Sequence, residues 1–97
     1  MSNTIAHHLK NTHELINRTF PDGIDRESYF PLLALLESEM SDRNLAGTIA
    51  YYTKRDYSEI LNDIYAVKST SIPSTEAINK VKTRLLACGY EEWLNEE

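Results

Sequence analysis

Tyr29-Phe30-Pro31-Leu32-Leu33-Ala34-Leu35-Leu36 is the most apolar stretch of the chain, and whether it forms helix or strand decides the fold class. Periodicity alone does not separate a short buried strand from a buried helix segment. Two features favour helix. The stretch holds no β-branched residue, the type that suits a pleated sheet, and it runs on into Glu37, Ser38 and Glu39. Pro31 then belongs in a first helical turn, where its missing N–H costs little. The spacing predicts a helix from Asp25 or Ser28 to Met40. Leu32, Leu33, Leu35, Leu36 and Met40 make it apolar nearly all round, as expected of a central, buried helix.

Four further helices are expected around it. Upstream, Ile5, Leu9, Leu15, Ile16 and Phe20 approximate a 3.6-residue period over about Thr4 to Thr19, with Thr4 as cap. Phe20-Pro21-Asp22-Gly23 ends that helix, because Pro21 disfavours helix in the residue before it and Gly23 permits a turn. Downstream, Ser41 caps a third helix with Asp42 at its positive end and Leu45, Ile49 and Tyr52 on one stripe. Gly47 weakens this helix, and its missing side chain would let another helix approach closely. A fourth helix carrying Ile60, Leu61, Ile64 and Val67 starts at Asp56 or Ser58, and Asp56 with Glu59 has capping-box spacing. Ser74 caps a fifth, in which Ile78, Val81, Leu85 and Cys88 recur in phase and Gly89 closes the helix in a left-handed conformation. Tyr90, Trp93 and Leu94 are placed to fold back as a short last turn. The expected fold is all-α, a compact bundle of about five helices in one domain over 1–97, with the second and fifth central.

Composition narrows the function. The chain has 97 residues, 41% hydrophobic and 26% charged, which suits one modest core rather than a disordered segment. Three Gly and three Pro leave too few turn signals for an all-β fold. A lone cysteine, Cys88, forms no intramolecular disulfide, so a reducing cytoplasm is the expected location. Met1 to Lys10 lacks the basic start and apolar run of a signal peptide, and Leu32 to Leu36 is far too short to span a membrane. A net charge of −5 argues against nucleic-acid binding, which needs clustered Lys and Arg.

No constellation of catalytic or metal-binding residues stands out. A zinc pair on a helix needs histidines at i and i+4; His7, His8 and His13 do not have that spacing and read as helix surface. Cys88 is in phase with Val81 and Leu85 and reads as a core thiol rather than a nucleophile. Gly23, Gly47 and Gly89 stand apart, so no phosphate-cradling loop is formed in sequence. Neither an enzyme nor a cofactor is expected.

The charge is uneven. Residues 22–42 hold six acids, Asp22, Asp25, Glu27, Glu37, Glu39 and Asp42, against one base, and so are net −5, while the remainder sums to zero. An acidic surface steers basic partners, although charge runs are also ordinary solvated faces. Tyr51, Tyr52 and Tyr57 gather beside Lys54 and Arg55, a composition found at interface hot spots. Tyr52 lies on the inward stripe and is expected to pack; Tyr51 and Tyr57 remain candidates for contact.

Phe20-Pro21-Asp22-Gly23-Ile24, Tyr29 to Leu36, Met40-Ser41-Asp42, Ile72-Pro73-Ser74, Ile78, Val81, Arg84-Leu85 and Gly89-Tyr90 together resemble a small bacterial family under the domain-of-unknown-function label thirty-three forty-nine. That resemblance implies a compact helical bundle and transfers no active site. By type, the chain is also similar to immunity proteins of bacterial toxin systems, notably contact-dependent growth inhibition. The expected function is therefore a small acidic binding protein, with a basic nuclease-type toxin domain as partner and Asp22, Asp25, Glu27, Glu37, Glu39, Asp42, Tyr51 and Tyr57 at the contact. The alternative is a helical adaptor or regulatory module.

Overall fold

Serine caps and left-handed glycines divide the chain close to where the sequence marks them. The computed structural model describes residues 7–95, with side chains from Lys10 onward. Among them are six helices and no strand: α1 (His7–Thr19), α2 (Arg26–Leu36), α3 (Asp42–Thr53), α4 (Tyr57–Ser69), α5 (Thr75–Leu86) and α6 (Tyr90–Leu94). The expectations placed on Thr4, Ile5, Glu96 and Glu97, and on the side chains of His7, His8 and Leu9, lie outside the described residues.

Ser41 Oγ accepts from the Asn44 N–H, and Ser74 Oγ from the Ala77 N–H, each at 3.1 Å, so both expected caps are made. Gly23 and Gly89 take φ of +100° and +103°, the left-handed region that favours glycine. The capping box at Asp56 is not made. Asp56 stands at the N-cap without a side-chain cap bond, and Glu59 turns instead to the Arg55 guanidinium at 3.2 Å.

The second helix is shorter than its apolar pattern suggests. It stops at Leu36, four residues before Met40, because Ser41 must be extended (φ −68°, ψ 153°) to cap α3. The intervening turn is closed by Glu39 N–H to the Leu36 carbonyl at 2.9 Å and by Ser38 Oγ to the Leu35 carbonyl at 3.1 Å, local bonds that compete with helix. Pro31 lies within α2 beyond its first turn, and its ring is buried in the core.

Leu15, Ile16 and Phe20 of the α1 end, Leu32, Leu33 and Leu36 of α2, Leu45 and Ile49 of α3, and Ile60 and Ile64 of α4 form the centre of the core. Full burial of each such side chain is worth about 1.5–3 kcal/mol. Leu35 is only partly buried, on the outer side of α2. Helix α2 packs against both α4 and α5 and is central, as expected. Helix α5 is not: it buries only Val81 and Leu85 fully, along one narrow stripe, while Ile78 and Cys88 are half-buried. A Cβ at Gly47 would meet nothing within 4 Å, so no helix comes close there. The short α6 is the expected last turn. Tyr90 is buried, and the Trp93 indole N–H donates to Thr12 Oγ1 at 2.8 Å, fastening α6 to α1.

Candidate functional site

The six acids expected to form one contact surface lie towards the two ends of α2. Asp22 and Asp25 sit in the α1–α2 loop and Glu27 in the first turn; Glu37, Glu39 and Asp42 follow the helix. At 1.5 Å per residue the helix separates the two groups by about 15 Å. Each group is partly neutralised by a base from elsewhere. Lys68 of α4 donates to Asp42 Oδ2 at 2.7 Å and stands 3.7 Å from Glu37 Oε1. Its ammonium is held above the usual lysine range, first by the bond to Asp42. Arg84 of α5 stands 3.9 Å from Asp25 Oδ1. Asp22, Glu27 and Glu39 are exposed and make no ion pair among the described residues.

Tyr52 lies as its position on the α3 stripe suggests. Tyr52 packs its ring inward and donates its hydroxyl to the Phe20 carbonyl at 2.5 Å. Burial, and then Asp22, hold its phenol above the ordinary range. Tyr51 and Tyr57 are 45% and 40% exposed, and Tyr65 on α4, which no sequence signal singled out, is 51% exposed.

A cleft opens where the α1–α2 loop meets the α3–α4 turn. Its volume is about 670 Å³, and Arg26, Lys54, Arg55, His13, Tyr29 and Tyr52 line it. The loop wall is held by Tyr52 and by Arg84, which donates to the Thr19 carbonyl at 3.1 Å and lies 4.3 Å from the Phe20 ring centroid. On the facing side, the Tyr29 hydroxyl donates to Asp63 Oδ2 at 2.8 Å, and Arg55 lies 5.6 Å from the Tyr29 ring centroid. Burial, and then Asp63, raise the Tyr29 phenol well above the ordinary range. The His13 ring meets Tyr51 and Tyr52 edge-on at 5.0 and 6.0 Å. Lys54 is the one non-glycine with positive φ among the described residues, at +62°.

The sequence signalled the Lys54-Arg55 corner through its tyrosine neighbours, but nothing local connects it with His13, Arg26 or Tyr29. Among the described residues, no group of three His, Cys, Asp or Glu side chains is arranged to hold a metal ion, and no helix is long and apolar enough to cross a membrane. Cys88, expected in the core, is half-buried just beyond α5, its Sγ 3.8 Å from the Arg18 carbonyl.

A family model described as a protein of unknown function, DUF3349, matches residues 7–93. No curated protein and no solved structure matches the chain.

Proposed function

We propose that this chain, which belongs to the DUF3349 family of small helical proteins, works by binding another protein. The observation that carries the reading is charge. The Asp22–Asp42 segment holds net −5, and its exposed acids Asp22, Asp25, Glu27 and Glu39 lie at the ends of the apolar helix α2. Charges gathered at the two ends of α2 attract a basic partner. Exposed Tyr51 and Tyr57 add aromatic area of the type that anchors interfaces.

The finer proposal is that the partner is a basic nuclease-type toxin domain, and that this chain occludes its cleft as an immunity protein would. Such clefts are positive because they bind phosphate, and an acidic surface fills them by steric and electrostatic fit. A second reading, a helical adaptor, is favoured by Lys68, which ties up Glu37 and Asp42 and leaves a less acidic face at that end of α2.

Affinity capture from the native cell tests both, using the wild-type chain and a folded variant with Asp22, Asp25, Glu27 and Glu39 changed to Lys. A basic protein retained by the wild type and lost by the variant is the expected result, with its nuclease activity suppressed by one equivalent of this chain. A partner retained equally by both overturns the acidic contact. A partner lost by the variant but free of nuclease activity selects the adaptor.

A further inference from the structure

One cleft of this acidic chain carries the opposite sign. Arg26, Lys54 and Arg55 line the cleft between the α1–α2 loop and the α3–α4 turn, and among the described residues no carboxylate lines it. Arg55 is shared with Glu59 at 3.2 Å and Asp63 at 3.8 Å, but Arg26 and Lys54 have no acidic partner among the described residues. Lys54 is also held in the left-handed region, at φ +62°. A non-glycine residue there is strained, and glycine would relieve the strain. Lys54 is the left-handed cap that ends α3, so the chain places a cation at the cleft in a position that glycine commonly fills.

We propose that this cleft binds a small phosphorylated molecule with an aromatic body, of the mononucleotide class. Two cations without acidic partners, with a third beside them, suit a phosphate dianion better than a single carboxylate, and guanidinium forks match phosphate oxygens. The half-buried rings of Tyr29 and Tyr52 supply an apolar and aromatic wall for the body of the ligand. A volume of about 670 Å³ falls among small-molecule sites, which run from about 300 to 1,000 Å³. A long polyanion is disfavoured, because the chain is net −5 and Asp22, Asp25 and Glu27 lie beside the cleft's loop wall in sequence. The site is independent of the protein-binding proposal, and either can fail alone.

Amide chemical shifts of the full chain titrated with adenosine 5′-monophosphate, inorganic phosphate and adenosine test the proposal. The nucleotide should move the Gly23, Ile24, Lys54 and Arg55 signals saturably. Phosphate should move the same signals more weakly, and adenosine should move them least. Lys54→Gly should weaken nucleotide binding roughly tenfold, the loss of one charge-assisted bond, while leaving the melting temperature unchanged or raised. Arg26→Gln should weaken it similarly. The proposal is overturned by an absence of saturable shifts at millimolar nucleotide, or by shifts spread away from the cleft. Adenosine or phosphate binding as tightly as the nucleotide, or Lys54→Gly binding like the wild type, would overturn it equally.

Discussion

The Tyr52 hydroxyl of α3 donates to the Phe20 carbonyl, 32 residues earlier, just beyond the end of α1. This bond holds the loop that forms one wall of the cationic cleft. Tyr52→Phe removes it while keeping the ring, and leaves a carbonyl that must find water. We expect a loss of about 1–2 kcal/mol in urea unfolding. An unchanged midpoint would mean that the loop is held by Arg84 alone.

Leucines of α2 should differ by face. Leu33→Ala and Leu36→Ala remove side chains with no exposed surface and should each cost about 2–5 kcal/mol, because a cavity is left as well as transfer energy lost. Leu35→Ala should cost clearly less, since Leu35 is only partly buried. Equal losses at Leu35 and Leu33 would contradict the packing of α2.

Two glycines should respond in opposite directions. Gly47 lies inside α3 with open space around it, so Gly47→Ala should stabilise by about 0.4–1 kcal/mol through reduced freedom of the unfolded chain. Gly89 has φ +103°, and a Cβ there would stand 3.1 Å from an Arg18 guanidinium nitrogen. Gly89→Ala should therefore destabilise by about 1 kcal/mol or more. Thermal melts of the two variants give the comparison; a stabilising Gly89→Ala would refute the left-handed turn at Gly89 that leads into α6.

Stability should fall on the alkaline side. Tyr29, Tyr52 and Tyr90 are each held above the ordinary tyrosine value of about 10, first by burial and then by Asp63, Asp22 and Glu39 respectively. Lys68 is raised as well, first by Asp42. The folded protein then keeps protons that the unfolded chain has already released. Stability is whole below about pH 10 and declines as pH rises through the folded values. Tyr29→Phe should flatten the decline. Urea midpoints that stay level from about pH 8 to about pH 11 would contradict this.

Association with a captured basic partner should depend unequally on the two ends of α2. Reversing Asp22, Asp25 and Glu27 should slow association more than reversing Glu37 and Asp42, whose charge Lys68 already offsets. The wild-type rate should also fall with added salt, since steering is screened beyond about 8 Å at physiological ionic strength. Equal effects from both ends would place the contact elsewhere.

Local chemistry was legible in the sequence. Ser41, Ser74, Gly23 and Gly89 act within a few residues of themselves, so their caps and left-handed turns follow from residue type and spacing alone. The same holds for the all-helical class, which the apolar periods and the shortage of turn residues settle together. The end of α2 is not legible in the sequence, because its apolar pattern continues to Met40 while the termination is a competition among Ser38, Ser41 and the backbone of the turn.

Only packing decided the sites. Lys68 meets Asp42 across 26 residues, and Tyr29 meets Asp63 across 34. No periodicity specifies which turns of two helices come level, because that depends on crossing geometry and on how side chains interdigitate. The acidic segment, continuous in sequence, is divided by the length of α2 itself, and packing then sets Lys68 against Asp42 and Glu37 at one end. In the same way, Arg26, distant in the chain from Lys54 and Arg55, comes to line one cleft with them because the α1–α2 loop is bonded to α3.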